Sequence, residues 1–200
     1  GELPGRYLIE DDYDSEFRYK GKPIPALQGM DQTGSVAYMG TFSKAIARAI
    51  RVGYMVLPES LLSVYRKKGR FYSSTVSRVD QRILANFISG GYFERHLNRM
   101  REIYKGKHDV LLGALKPLEK RFEIKGEYAG LHVLLTDRKG EAEQALLAKA
   151  EEKKVRVYGL SGFCMEERRA KESHTIVLGY AGLTEEEIRK GVELLREALE

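Results

Sequence analysis

The side chains best suited to chemistry in this sequence lie next to short apolar runs. Asp11 follows the run Tyr7–Ile9, the segment Thr41–Lys44 follows the run Ser35–Met39, and Arg51 begins a third run. In α/β sheets ligands bind at the carboxyl ends of strands, and parallel neighbours would bring the first two groups together. Each group alone also fits a loop cap, a solvated lysine or a surface ion pair. Their combination is what indicates a ligand site.

Hydrophobic periodicity predicts the elements that must position these side chains. A short apolar run that ends abruptly in acids predicts the first strand, and two β-branched and aromatic runs bounded by Gly or Pro predict two more. The Gly- and Pro-rich stretch between the first two predicts a loop. The strands are Tyr7–Ile9, Ser35–Met39 and Arg51–Leu57, and the loop is Gly21–Gly34. From Glu59 onward apolar residues recur at three- and four-residue steps, which predicts two helices. Tyr92–Arg121 then predicts one long helix or a kinked pair.

The last third of the chain alternates between strand-like and helical segments. Predicted strands cover Tyr128–Leu135, Val155–Leu160 and Thr175–Tyr180, and predicted helices cover Glu141–Lys153 and Thr184–Leu199. Thr184 and Glu187 have the spacing of a capping box. We therefore predict an α/β fold with a boundary near Gly90-Gly91. Residues 1–91 would form part of a large α/β domain, and residues 92–200 a bridging helix with a small α+β lobe.

Composition argues against several classes of protein. The chain has 200 residues, of which 42% are apolar, and this is enough to bury a core. Its net charge of +5 arises from basic and acidic residues that are mixed along the chain, which argues against direct DNA binding by this chain. Cys164 and the scattered histidines show no metal-ligand spacing, and no apolar run could span a bilayer. We expect a soluble, cytoplasmic protein, and the start at Gly1 without Met suggests a fragment.

Several segments resemble known families. EDDYDSEFRY at 10–19, GTFSK at 40–44 and RVGY at 51–54 together resemble the cofactor signature of fold-type I aminotransferases. With GKPIPALQG, HLNRMREIYKGKHDVLL, AGLH and VLGYAGLTEEEI, nearly the whole chain resembles the C-terminal half of the MocR subfamily of GntR-type transcriptional regulators. In that subfamily a winged-helix DNA-binding domain precedes an aminotransferase-like domain. The latter binds pyridoxal 5'-phosphate (PLP) and senses a small amine or amino acid.

The resemblance implies a role for each candidate site residue. Lys44 would be the catalytic amine that holds PLP as an imine. Asp11 would keep the pyridine nitrogen protonated, so that the ring acts as an electron sink. Tyr13 would donate a hydrogen bond to the phenolic oxygen of PLP. Thr41 and Arg51 would bind the phosphate, the arginine through a bidentate fork.

Other residues near these positions receive no cofactor role. The acids after Asp11 are expected to face solvent or cap the loop, and two aromatic residues beyond them to pack in it. These residues are Asp12, Asp14, Glu16, Phe17 and Tyr19. Where aminotransferases commonly carry an Arg that clamps the substrate carboxylate, this chain has Val177. Arg156, Arg168 and Arg169 are alternatives, although each also fits a surface residue.

Two functions are open at this point. The first is a PLP-binding effector domain, in which exchange of the Lys44 linkage with an incoming amine alters domain arrangement and DNA binding. The second is part of a catalytically active aminotransferase, so the sequence leaves open whether the protein is an enzyme. A plain structural module would require three motifs to coincide by chance. The resemblance places other cofactor contacts before Gly1, so we expect this chain alone to bind PLP weakly or not at all, and the full-length protein to form a homodimer.

Overall fold

The computed structural model describes residues 5–22, 24–47, 49–69, 71–165 and 173–200. The chain divides into two compact units. The first, here called the site unit, contains Gly1–Glu16 and Gly21–Met100, and the second, the lobe unit, contains Phe17–Lys20 and Arg101–Glu200. The division falls inside the helix Tyr92–Leu115. The domain boundary near Gly91 stays a prediction.

The site unit contains a three-stranded sheet in the order β1-β2-β3. Its strands are β1 Leu8–Asp12, β2 Val36–Thr41 and β3 Gly53–Val56. β1 and β2 are parallel, with Leu8 opposite Val36, and β2 and β3 are antiparallel, with Tyr38 opposite Val56. The three predicted strands are confirmed, although β3 is shorter at both ends than predicted.

Short and medium helices accompany this sheet. They are α1 Leu27–Met30, α2 Phe42–Ala45, α3 Glu59–Gly69 and α4 Arg78–Ser89, followed by α5 Tyr92–Leu115. α1 lies in the segment predicted as loop, whereas α3 and α4 confirm the helical periodicity. α4 begins at a capped end, where Ser77 Oγ accepts a hydrogen bond from Asp80 N at 3.1 Å. Phe42 and Phe93 pack edge to face, with ring centroids 6.0 Å apart.

The lobe unit contains a four-stranded antiparallel sheet in the order β4-β5-β7-β6. Its elements are β4 Phe122–Lys125, β5 His132–Asp137, α6 Glu143–Glu152, β6 Tyr158–Gly159, β7 Thr175–Gly179 and α7 Glu185–Leu199. Two 3-10 helices cover Lys116–Lys120 and Leu160–Phe163. The alternation predicted for this part is confirmed, as is the capping box, in which Glu187 N donates to Thr184 Oγ1 at 3.2 Å.

Two predicted strands of the lobe unit are wrong in their bounds. The strand predicted to begin at Tyr128 begins at His132, because Gly126 and Gly130 take φ values of 84° and 87° and turn the chain before it. The strand predicted over Val155–Leu160 shrinks to the two residues of β6. The sequence interpretation also missed β4.

The core of the lobe unit lies between one face of its sheet and the helices. β5 alternates across the sheet: Val133 and Leu135 are fully buried, whereas Leu134 and Thr136 between and beyond them are half-buried. The buried face packs with residues from α6, β7 and α7. These include Leu146, Ala150, Ile176, Leu178, Ile188, Val192, Leu195 and Leu199.

The short segment Phe17–Lys20 belongs to the lobe unit although its neighbours in sequence do not. Its backbone pairs with the turn before β5: Gly130 N donates to Phe17 O, and Tyr19 N donates to Tyr128 O, each at 2.9 Å. Phe17 is fully buried and meets the Tyr104 ring edge to face at 4.9 Å. The interpretation of Phe17 as a packing residue is therefore confirmed.

Candidate functional site

The ends of three strands meet at one edge of the site-unit sheet. In the parallel pair, Asp11 stands opposite Met39 and Asp12 opposite Gly40, so the carboxyl ends of β1 and β2 coincide. β3 runs the other way and places Gly53 opposite Thr41. The predicted convergence of strand ends is confirmed, because the same edge carries the segment with Asp11, the start of the Thr41–Lys44 segment and the start of β3.

Side-chain alternation assigns these residues to the two faces of the sheet. Successive residues of a strand point to opposite faces, and paired residues share a face. Asp11 therefore shares a face with Met39 and Thr41, whereas Glu10 and Asp12 point to the opposite face. Two of the predicted site residues thus lie on one face of the sheet near one edge.

The three consecutive acids of β1 have different environments. Glu10 accepts hydrogen bonds from Leu27 N at 2.9 Å and Gln28 N at 3.0 Å, and so holds the first turn of α1. Asp12 accepts from Ser15 N at 3.1 Å and thereby caps the turn after β1, as predicted. Within the described part of the chain, Asp11 makes no side-chain hydrogen bond, and it is exposed. Asp11 is therefore the acid of this strand that is free to meet a ligand.

Sequence reasoning missed the role of Glu10. Only a predicted helix at Leu27 would have indicated this role, since the first backbone N–H groups of a helix need acceptors. Because the Gly and Pro residues of this segment predict a loop, the sequence gives no reason to expect an acceptor there. A carboxylate 17 residues earlier in the sequence supplies two of these bonds.

Hydrogen bonds join the start of α2 to Ile50, Arg51 and Val52. Thr41 Oγ1 caps this helix by accepting from Ser43 N at 3.1 Å, and Phe42 N donates to Val52 O at 3.0 Å. Ser43 Oγ donates to Ile50 O at 2.6 Å and accepts from Arg51 Nη1 at 3.4 Å. These bonds bring Arg51 to the base of α2, near Thr41, although the two residues are ten positions apart in sequence.

The remaining candidate side chains are exposed in part or fully. Lys44 lies on α2 and is exposed, as is Arg51. Tyr13 follows β1 and is 44% exposed. The Asp14 carboxylate, burial and the Asp11 carboxylate together raise the pKa of Tyr13 above its ordinary value. Its phenol stays protonated near neutral pH and is able to donate a hydrogen bond.

The residues considered for a carboxylate clamp lie elsewhere. Val177 is buried in β7, paired with Leu134 and Tyr158. The Arg156 guanidinium stands 5.4 Å from the centre of the Tyr158 ring in a cation–π contact. Arg168 and Arg169 lie outside the described residues.

Other kinds of site find no support in the described ranges. No group of three or more His, Cys, Asp or Glu side chains there could hold a metal ion. No helix in that part of the chain is both long and apolar enough to cross a membrane.

Comparison with known proteins identifies the fold and the family. The sequence model of the family "Aminotransferase class I and II" matches residues 6–195, and the chain belongs to this family. The structure of LysN, an α-aminoadipate aminotransferase from Thermus thermophilus, superimposes with a TM-score of 0.82 at 27% identity, covering 96% of this chain and 50% of LysN. The predicted fold class is confirmed.

The curated relatives specify the kind of protein further. The chain is 40% identical to the uncharacterized HTH-type transcriptional regulator YdeL of Bacillus subtilis (strain 168), over 96% of this chain and 41% of YdeL. It is 33% identical to the probable rhizopine catabolism regulatory protein MocR of Rhizobium meliloti, over 99% of this chain and 40% of that protein. The chain thus spans about two fifths of these relatives' length. It is an aminotransferase-like domain homologous to MocR-type regulators, which confirms the resemblance.

Proposed function

We propose that this chain is the PLP-binding, effector-sensing part of a transcriptional regulator. The observation that carries the proposal is the position of Asp11 at the strand edge, by which we mean the end of the sheet where β1 and β2 finish. There Asp11 has no hydrogen-bond partner among the described residues, and it shares a face with Thr41. The family assignment and the LysN structure, which is complexed with N-(5'-phosphopyridoxyl)-L-leucine, support PLP as the ligand. The relatives named as HTH-type regulators support a role in transcription.

The chemistry of the five proposed residues suits the different parts of PLP. When bound, the cofactor supplies an aldehyde that an amine can hold covalently and a ring that accepts electrons. Lys44 is the proposed amine. Asp11 is the proposed anion beside the pyridine nitrogen, where a negative charge keeps that nitrogen protonated.

The other three residues are proposed to orient the cofactor. Tyr13 is protonated near neutral pH, since the Asp14 carboxylate, burial and the Asp11 carboxylate raise a pKa that is ordinarily near 10, and it is proposed to donate to the phenolic oxygen. The Thr41 hydroxyl and the Arg51 guanidinium bind the phosphate. An arginine is suited to this role because its planar fork makes two parallel hydrogen bonds to phosphate oxygens, which a lysine cannot do.

The proposal extends to the partners of the whole protein. The effector is a small amine or amino acid that competes with Lys44 for the aldehyde, and DNA is bound by a domain outside this chain. The full-length protein acts as a homodimer in the cytoplasm. The alternative is that this chain is part of a catalytically active aminotransferase. Its similarity to LysN, an α-aminoadipate aminotransferase, favours this alternative.

Covalent trapping tests the central claim. The intact natural polypeptide that carries this chain is incubated with PLP, reduced with borohydride and digested, and the modified lysine is identified by mass spectrometry. We expect the label at Lys44 and its loss in Lys44→Ala. The control Lys67→Ala removes another exposed lysine, on α3, and should leave the label unchanged. A label at another lysine, or undiminished labelling of Lys44→Ala, would contradict the proposal.

Two further measurements separate the roles. Asp11→Asn should keep the covalent link but weaken the electronic activation of the ring, which is visible as a changed absorbance spectrum of the bound cofactor. Regulator and enzyme are distinguished by two assays on the same preparation. A change in DNA affinity on adding an amine supports the regulator, and sustained transfer of amino groups to a keto acid supports the enzyme.

A further inference from the structure

The carboxylate of Asp12 links β1 to the next strand and to the following turn. It accepts hydrogen bonds from Tyr38 Oη at 2.8 Å, from Ser15 Oγ at 2.6 Å and from Ser15 N at 3.1 Å. Partial burial acts to raise the pKa of Asp12, but the bonds from Ser15 and Tyr38 outweigh it and hold the pKa below its ordinary value. The group is therefore an anion with three donors around it.

Tyr38 continues this link across the sheet. Its ring lies 6.1 Å from the ring of Tyr54 on β3, and both residues lie on the face that carries Asp12. The Tyr54 ring in turn occupies the space where a Cβ atom at Gly40 would stand. The glycine of the GTFSK segment is thus explained by the packing of a tyrosine against it. Asp12, Tyr38 and Tyr54 form a contiguous brace over three strands.

The brace lies on the face opposite to Asp11. Because side chains alternate along a strand, fixing Asp12 on one face fixes Asp11 on the other, beside Met39 and on the face of Thr41. The two bonds to Ser15 also set the turn that contains Tyr13. One carboxylate therefore fixes both neighbours that the proposed cofactor site uses.

We propose that Asp12 and Tyr38 are positioning residues for this site, an inference that rests on the proposed function. The pair contacts no cofactor atom. Through its hydrogen bond it holds the end of β1 in the orientation that presents Asp11 and Tyr13 to the pyridine ring. Loss of the bond lets the strand end rotate, so that both groups meet the cofactor less favourably.

The test compares two Tyr→Phe substitutions that each remove one hydroxyl from the site unit. Tyr38→Phe deletes the bond to Asp12. The control Tyr7→Phe deletes a hydrogen bond between two neutral hydroxyls, Tyr7 Oη and Ser60 Oγ, at 3.2 Å, and Tyr7 precedes β1 at the opposite end of that strand from Asp12. Both variants are made in the intact natural polypeptide, and PLP is the probe.

Three quantities are measured for each protein: the PLP dissociation constant, the pH midpoint of the visible absorbance of the Lys44-linked cofactor, and the thermal unfolding midpoint. We expect Tyr38→Phe to weaken PLP binding by about three- to tenfold, which is less than the full effect of a hydrogen bond to a charged group, because the pair acts on the cofactor only through Asp11 and Tyr13. We also expect it to shift the pH midpoint, since Asp11 and Tyr13 both act on the cofactor's protonation. Tyr7→Phe should change neither.

A double-mutant cycle completes the test. Asp12→Asn alone should have an effect similar to Tyr38→Phe, and the two together should change binding by less than the product of the single effects, because they share one bond. If Tyr38→Phe lowers the unfolding midpoint while the pH midpoint and affinity stay those of the unsubstituted protein, the pair is merely structural and the inference is wrong. If the unsubstituted protein gives no trapped link at Lys44, both the inference and the proposed function fail.

Discussion

The two units differ in how far their strands are buried within this chain. In the lobe unit, strand β5 alternates strictly between buried and half-buried residues, and its inward side chains are fully enclosed. In the site unit, every residue of β3 is exposed, and Leu8 and Ile9 of β1 are 48% and 64% exposed. The lobe unit therefore illustrates a fold specified by apolar burial. At the strand edge of the site unit, hydrogen bonds to Glu10 and Asp12 hold the neighbouring segments.

This difference matters for the proposed function. Polar bonds are directional, so they fix the orientation of a side chain more narrowly than apolar contact does. Glu10, Asp12 and Ser43 each hold a segment next to a proposed cofactor contact. Such bonds help a binding site to hold several side chains in fixed positions relative to one another. The following predictions test whether the two units really differ in this way.

The largest effect is expected at the buried ion pair of the lobe unit. Arg121 Nε contacts Asp137 Oδ1 at 2.9 Å, and the Asp137 side chain is fully buried. Arg121 also binds Glu141 and the carbonyl oxygen of Leu199. Arg121→Met leaves the Asp137 charge unpaired, which should lower the free energy of unfolding of the chain by about 3–5 kcal/mol.

This loss can be measured by denaturant unfolding followed by circular dichroism. The control is Lys153→Met, which breaks the pair of Lys153 with Glu197 at 2.9 Å, where the side chains are 43% and 48% exposed. That substitution should cost less than about 1 kcal/mol, because water screens the pair. Equal losses in the two variants would show that burial of Asp137 does not matter.

A second pair of substitutions compares the two units directly with one residue type. Leu135 on β5 is fully buried, whereas Leu8 on β1 is 48% exposed. Leu135→Ala should lower the free energy of unfolding by about 2–5 kcal/mol, since it leaves a cavity in a packed core. Leu8→Ala should cost about 0.5 kcal/mol or less. Similar costs, measured by the same denaturant unfolding, would contradict the contrast drawn between the units.

A smaller effect is expected from the pH dependence of the lobe unit. His108 is 1% exposed, and its ring lies 4.8 Å from that of Tyr19. Its Nδ1 lies 3.6 Å from the Asp109 carboxylate, beyond hydrogen-bond distance. Burial lowers the pKa of His108 and outweighs the opposing effect of the Asp109 carboxylate. The unfolded chain, with a histidine pKa of about 6.5, then takes up the proton more readily than the folded one.

Stability should therefore be complete above about pH 6.5 and decline as the pH falls below that value. His108→Phe keeps a ring against Tyr19 and removes the titrating group, so its stability should fall less steeply between about pH 7 and pH 5. Substitution of the half-buried His132 by Gln serves as the control. An unchanged slope in His108→Phe would show that this residue is not the source of the acid sensitivity.

The smallest effect is expected in the helix α7. Gly191 lies in its interior, and a Cβ atom added there would meet no other atom within 4 Å. Gly191→Ala should raise the free energy of unfolding by about 0.5–1 kcal/mol, because alanine loses less conformational freedom in a helix than glycine. Gly40→Ala is the opposite case, since its Cβ would collide with the Tyr54 ring, and it should destabilise the site unit. A loss of stability in Gly191→Ala would indicate a contact that the structure does not show.

Much of the fold followed from periodicity, and the errors have specific causes. The three strands of the site unit were predictable because the first apolar run ends in three acids and the other two are bounded by Gly or Pro. The start of β5 was not, because the apolar residues Tyr128 and Leu131 continue the pattern while Gly126 and Gly130 turn the backbone. Hydrophobic periodicity depends on side-chain chemistry, and it carries no information about the backbone φ angle that a glycine adopts.

The features of the candidate site also separate into those that the sequence determines and those that only the structure shows. The sequence alone determined which chemical groups are present and that an acid, a lysine and an arginine stand next to strand ends. Only the tertiary structure decided which of three consecutive acids is left without a partner, since Glu10 and Asp12 are engaged by Leu27 and Tyr38, which are distant in sequence. Strand pairing and register join residues that local sequence cannot connect. For that physical reason the roles of Glu10, Tyr38 and Ser43 became visible only in the fold.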